Sequence, residues 1–250
     1  MDAAYSTAAG QFNACAEVSG TRPSSVGSAA GAGPLRERSH ASVGPSIWHG
    51  PGALASLVCC MLACGETFDG PPELVPAQLS RSLDRLVPVA DGDSLDLLPP
   101  IQGGYVLFVG AALHNFSSQG GGSLLGELRR ARATDGTPLS QPGAVLYSDE
   151  RTVGVIPLPV SFPVPSPTSG WQLSAPNPND TANISTCPNP LDISIVDSEL
   201  FLQITFRDRA GRSATSYRKV VPRCAQADAM TAKDCRCQCG ANYQPQKCTI

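Results

Sequence analysis

From Ile101 onward, apolar and polar residues alternate in short runs separated by turn residues. In "GGYVLFVGAALHN", Tyr105, Leu107 and Val109 form one apolar set and Val106 and Phe108 form a second. A period of two with both faces apolar predicts a central strand covered on both sides. "SLLGELRRARATDGT" has Leu124, Leu125, Leu128 and Ala131 at spacings a helix would tolerate. However, Thr134-Asp135-Gly136-Thr137 is a hairpin-type turn and the neighbours are strands, so a strand is read here too. "GAVLYSD" and "RTVGVIPLPV" read as a strand pair around Ser148–Arg151. The proline-rich stretch 157–190 cannot supply regular ladder donors and reads as loop or edge. "SELFLQITFRDRAGRSATSYRKVVP" is a hairpin. Leu200, Leu202, Ile204 and Phe206 share one face, Phe201, Gln203, Thr205 and Arg207 the other, and Asp208–Arg212 is the turn, with Gly211 suited to positive φ. Short strands without a long helical period predict an antiparallel β-sandwich. Before Ile101, residues 65–100 show scattered apolar positions. A short amphipathic helix over Pro76–Leu86 (Leu79, Leu83, Leu86) is the only periodic feature, and the remainder reads as a tether.

A different pattern precedes this region. Every residue from Ala53 to Ala63 except Ser56 is apolar, and the chain turns polar after Cys64. The run is shorter than the roughly 20 residues that span a bilayer, but it suits the apolar region of a secretory signal, about 7–15 residues long. A buried helix carrying Cys59, Cys60 and Cys64 is the competing reading. "MLAC", Met61 to Cys64, resembles the lipobox of bacterial lipoproteins. That resemblance implies a diacylglycerol on Cys64, cleavage before it, and anchoring to a membrane through the lipid. It departs from the usual pattern at Met61, where Leu is common, and at Leu62, where a smaller residue is common. Gly65 lacks the Asp that often marks inner-membrane retention, so the resemblance favours the outer membrane of a Gram-negative cell envelope. The 33 residues of "MDAAYSTAAGQFNACAEVSGTRPSSVGSAAGAG" are rich in Ala, Gly and Ser with no sustained period. A translation start near Leu35 would put Arg36 and Arg38 ahead of the apolar run as its positive region.

These readings divide the chain into an upstream segment (1–46) that is disordered or precedes the true start, a signal peptide (47–63), and a lipidated cysteine with tether (64–100). A β-sandwich domain (101–222), expected to be immunoglobulin-like, and a disulfide-rich tail (223–250) follow. Six cysteines lie beyond Cys64: Cys187, Cys224, Cys235, Cys237, Cys239 and Cys248. An even count in an exported chain predicts three disulfides. If "CRCQC" is extended, its cysteines lie roughly 6.6 Å apart at Cα and lean the same way, near the limit for bridging one another. Cys235, Cys237 and Cys239 are therefore expected to pair with Cys187, Cys224 and Cys248 in some order. A metal knot is the alternative, although zinc sites usually space cysteines by two to four residues.

Composition narrows the function classes. Net charge is −3 and aromatics are 6%, giving neither an electrostatic footprint nor a stacking platform for nucleic acid. Three Lys against fifteen Arg, with abundant Ala, Gly and Pro, matches coding in a GC-rich bacterium. No nucleophile elbow, zinc-protease motif or phosphate loop occurs. His114, the only histidine after Cys64, is expected at the surface of a strand end. Asp91, Asp93 and Asp96 depart from a calcium loop and are expected to be solvated. The expected function is a non-catalytic binding or structural β domain on an anchored lipoprotein, with no cofactor and with a protein or glycan ligand left open. The alternatives are an exported hydrolase using two carboxylates and a secreted, non-lipidated protein.

Overall fold

The computed structural model describes residues 68–117, 120–166 and 169–248. In chain order the elements are β1 (Glu73–Leu79), β2 (Leu86–Pro88), β3 (Asp93–Leu97), β4 (Tyr105–His114), β5 (Gly122–Arg130), β6 (Val145–Val153), β7 (Val155–Pro157), β8 (Trp171–Ser174), β9 (Ala182–Cys187), β10 (Leu200–Asp208), β11 (Ser213–Cys224) and α1 (Ala229–Cys239). They form two sheets. One runs β2-β1-β4-β8-β7, with β9 also paired to β4, and the other runs β3-β11-β10-β5-β6. No described helix is long and apolar enough to cross a membrane.

The facing sides of the two sheets share one apolar cluster. Leu107, Val109 and Leu113 of β4 meet Leu124 and Leu128 of β5 and Leu200, Leu202, Ile204 and Phe206 of β10. Period-two alternation brings these residues to one side of each strand. The other face of β4 is covered as well: Val106, Phe108 and Ala112 join Leu79, Leu86, Phe162, Trp171 and Leu173 in a second cluster. The doubly apolar pattern of β4 thus reflects a sheet with interior on both sides. The β10–β11 hairpin has the expected register, Leu202 opposite Arg218 and Phe206 opposite Ala214, and Gly211 takes φ 86° in its turn. Phe201, on the mostly polar face, is also buried, under Tyr217 (rings edge-on, 5.5 Å between centroids) and Lys219.

Five expectations are corrected. Residues 73–97 are not a tether: β1 pairs with β4 and β3 pairs with β11. The proposed helix over Pro76–Leu86 is instead the end of β1, a turn and the start of β2, with Leu79 directly opposite Leu86 and Leu83 exposed in the turn. The spacing of those leucines fits a helix, but β1 finds its backbone partners in β4 on one side and β2 on the other. The sheets are not wholly antiparallel, because β3 runs parallel to β11. The proline-rich stretch contains β8 and β9, which pair with separate halves of β4. Finally, "GAVLYSD" and "RTVGVIPLPV" are not a pair. They form one strand, β6, which leaves the second sheet after Val153 and enters the first as β7.

The sheets approach closely at Gly126, where an added Cβ would lie 2.8 Å from Val109 Cγ2 and 3.1 Å from Ala182 Cβ. Gly126→Ala is therefore expected to destabilise. Overpacking costs about 1–3 kcal/mol, more than the roughly 0.5–1 kcal/mol gained by removing a strand glycine. A lowered urea midpoint checks this; an unchanged or raised midpoint would contradict the close approach.

Candidate functional site: the cysteine-paired end of the domain

Helix α1 has little apolar surface of its own. Of its eleven residues only Cys235 and Cys239 are buried, one turn apart on the same face. Both belong to the core cluster between the sheets. Cys237, two residues from each, points elsewhere. The "CRCQC" segment is therefore helical rather than extended, and the helix gives its cysteines two directions. Cys239 lies at disulfide-bonding distance from Cys187 at the end of β9 (Cα–Cα 5.0 Å), and Cys235 from Cys224 at the end of β11 (5.8 Å). On the other side of the helix Cys237 is paired with Cys248 (5.7 Å). The segment expected to be an appended tail thus closes one end of the core.

Asn189 joins this helix to the sheets. It is fully buried. Its side-chain NH₂ donates to the carbonyls of Ile193 (2.7 Å) and Gly240 (2.9 Å), and its Oδ1 accepts from Tyr147 Oη (2.6 Å) and Leu191 N (3.0 Å). Its backbone N–H donates to Gln238 O (2.8 Å), and Ile195 N donates to Cys239 O (3.0 Å). The last carbonyls of a helix lack intrahelical donors. Here the 189–195 connection supplies them, since Gly240 is extended (φ −67°) and forms no left-handed cap. At the other end Asp228 accepts from Thr231 N (2.8 Å) as N-cap, and the hydrogen bonds from Thr231 hold its carboxyl below the usual range. Tyr105 Oη, at the start of β4, lies 3.0 Å from both Thr231 O and Asp234 Oδ2. Burial first, then the hydrogen bond and charge of Asp234, push its pKa up to about 12.

Beside the helix a cleft of about 680 Å³ opens between the end of β5, the 192–199 connection and the end of β11. Three guanidinium groups (Arg130, Arg132, Arg223) and three carboxylates (Asp192, Asp197, Glu199) line it. Arg130 pairs with Asp192 (3.1 Å), Arg223 with Asp197, and Glu199 with Lys219 (3.7 Å). Arg132 donates to Gly136 O (3.1 Å). The Asp192 side chain is 75% exposed. Such pairs contribute about 0–1 kcal/mol each, so a polar ligand can exchange for them at small cost. The sequence offered no signal for this cleft, because its residues converge from three separate segments.

The remaining candidates lie elsewhere. Cys64 falls outside the described residues. His114 is not a surface histidine. It ends β4 with only 13% of its side chain exposed, stacks on Trp171 (5.0 Å between centroids) and has Nδ1 3.8 Å from a Glu73 carboxylate oxygen. The three aspartates of "DGDSLD" do not converge. Asp91 accepts from Lys219 N, Asp93 from Ala90 N, and Asp96 binds Arg81. Glu127, buried on the outer face of β5, is held by Arg129 and Gln203. Among the described residues, the one group of three or more His, Cys, Asp or Glu side chains with ligand atoms close together is Cys224, Cys235 and Cys239. No protein-family model matches the chain, and no curated protein or solved structure matches it.

Asn189→Ala is expected to strand several buried carbonyl and amide groups, at about 1–3 kcal/mol for each one left unpaired. A lower urea midpoint, with faster amide exchange in 229–239 than in β10, checks it. Tyr105 gives a pH dependence. Its folded pKa lies above the ordinary value near 10, so its contribution is complete below that value and is lost as pH rises toward about 12. Tyr105→Phe should flatten the fall in urea midpoint across that window.

Proposed function

We propose that this chain is an extracytoplasmic, lipid-anchored protein of the bacterial cell envelope carrying a non-catalytic, immunoglobulin-like binding or structural domain. One observation carries the reading. All six cysteines after Cys64 fall into three pairs at bonding distance, so none of the six calls on Cys64 as a partner. Oxidised pairs of this kind persist in compartments outside the cytoplasm. A cysteine set apart from them, at the end of an eleven-residue apolar stretch, suits acylation.

Strand order supports the immunoglobulin-like assignment. In the nomenclature of that fold, β1, β4, β8 with β9, and β7 take the places of A, B, E and D, while β11, β10, β5 and β6 take those of G, F, C and C′. Strand E would then be divided, since β8 and β9 each pair with part of β4.

The anchor would sit near one end of this domain. Cys64 precedes Phe68 by four residues, a reach of at most roughly 14 Å. Phe68 lies under the Arg212 guanidinium (3.9 Å to the ring centroid), which also donates to Gly70 O (2.8 Å). Arg207 and Arg209, on the same β10–β11 hairpin, are exposed and would face anionic headgroups. Arg130 and Leu200, which border the cleft, are at the far ends of β5 and β10 from Asp208. An anchored domain would therefore turn the cleft away from the membrane, where a glycan or protein partner can reach it. The favoured location is the outer membrane, by resemblance to lipoproteins that lack Asp after the modified cysteine.

Two measurements test this. Mass spectrometry of the mature protein is expected to find acylated Cys64 as the first residue, and Cys64→Ala should leave the membrane fraction. A variant that stays membrane-bound and unprocessed like the wild type would refute the anchor. Thiol counting on the denatured, unreduced protein should find none of the six downstream cysteines free.

A further inference from the structure

Two of the cysteine pairs lie against each other. Cys235 and Cys239 belong to different pairs, yet their Sγ atoms are only 4.0 Å apart. The Sγ atoms of Cys224, Cys235 and Cys239 all lie within 4.8 Å of one another. Cys187, bonded in its pair to Cys239, supplies a fourth sulfur at the edge of this group of three. In a tetrahedral zinc–thiolate site the Zn–S bonds are about 2.3 Å, which sets the sulfurs roughly 3.8 Å apart. The separation between the two pairs therefore already approximates one edge of that tetrahedron. Reduction frees the two bonded edges to lengthen, and Cys187 must then turn toward Cys224 and Cys235 to complete the set.

The surroundings favour such a site. Cys187, Cys235 and Cys239 are buried in the core cluster, and Cys224 is half-buried at its margin, giving a route for an ion. The four sulfurs come from three elements (β9, β11 and α1); Asn189, Ile195 and Tyr105 tie α1 to the connection after β9 and to β4, and Asp197 N ties that connection to Pro222 O of β11, all through hydrogen bonds independent of sulfur. Cys237 and Cys248, across the helix, form a separate pair.

We infer that Cys187, Cys224, Cys235 and Cys239 form a binding site for one Zn²⁺, or a comparable soft divalent cation, when their two disulfides are reduced. Each disulfide accepts two electrons and two protons from a dithiol reductant, which itself becomes a disulfide. The four thiols then release their protons to solvent as thiolates on binding the ion. Reoxidation by two equivalents of a disulfide oxidant passes them four electrons, with four protons drawn from solvent, re-forms both S–S bonds and releases the metal. The disulfide and metal readings of this cysteine-rich segment thus describe two redox states of the same four sulfurs. In a newly exported, reduced chain, zinc would also gather these four cysteines apart from Cys237 and Cys248, the grouping from which the observed pairs form.

The inference rests on the oxidised pairing proposed above for its starting state, and the two are tested separately. The full chain is reduced anaerobically with a phosphine, freed of reductant and titrated with Zn²⁺, and in parallel with Co²⁺, whose thiolate complexes absorb strongly. One ion per chain, tetrahedral cobalt absorption and retention of the sheet signal by circular dichroism are expected. The double variant Cys237→Ser/Cys248→Ser should keep that stoichiometry. Cys235→Ser and Cys239→Ser should each weaken binding at least tenfold. The inference is overturned if the folded, reduced protein binds no ion. Loss of binding in the Cys237→Ser/Cys248→Ser variant, or equal binding by urea-unfolded chain, overturns it as well. Zinc in the protein as isolated, with four free thiols, would support the site while overturning the oxidised pairing.

Discussion

The interior of the two sheets is open at one end, and a helix with almost no apolar face closes it. This constraint shapes the C-terminal third of the chain. A helix usually docks by burying an apolar stripe, but α1 buries only Cys235 and Cys239. Hydrophobic burial of two small side chains contributes little, so the helix depends on covalent and polar attachment. The cysteine pairs provide the first. Asn189 provides the second by supplying donors to carbonyls that the helix cannot satisfy itself.

Strand β4 plays the corresponding part for the sheets. Its residues alternate between the shared core and the outer cluster, and its two edges carry β1 on one side and β8 with β9 on the other. The proline-rich chain that returns over the first sheet serves that outer face: Phe162, Trp171 and Leu173 cover Val106, Phe108 and Ala112. Prolines keep this chain from forming long strands, yet its apolar residues still bury one side of β4. The same stretch leads through Pro188 to Asn189, so cover for the sheet and attachment of the helix share one segment.

Legibility of the fold followed strand length together with an unbroken period: β6, nine residues long but mostly polar, reads as two strands. β4 and the β10–β11 hairpin were readable because nine or more residues keep one period, which leaves the buried face in no doubt. β1, β3, β8 and β9 were not. They are four to seven residues long, and their runs are interrupted or flanked by proline, aspartate or glycine. Each is a strand because a longer neighbour offers it an unpaired edge, and no local pattern encodes that. The candidate site was legible only in its cysteines. Their even number pointed to pairing across the "CRCQC" cluster, while the helical geometry that turns Cys237 away from Cys235 and Cys239 left no mark in so polar a segment.

By itself, the sequence determined that the chain is mainly β, that its strongest hairpin turns at Asp208–Arg212, and that the downstream cysteines are even in number. These follow from side-chain period, turn chemistry and count, which are properties of neighbouring residues. Only the tertiary structure decided that β3 lies parallel to β11, which cysteines face one another, and that Asn189 lies beneath the end of α1. It also decided that arginines and carboxylates from three segments share one cleft. Those outcomes depend on residues far apart in the chain, from Cys224 with Cys235 to Asp93 with Val220, meeting in space. The physical reason is that pairing, burial and hydrogen-bond satisfaction are settled by which unpaired edges and polar groups remain once the long strands have closed the core.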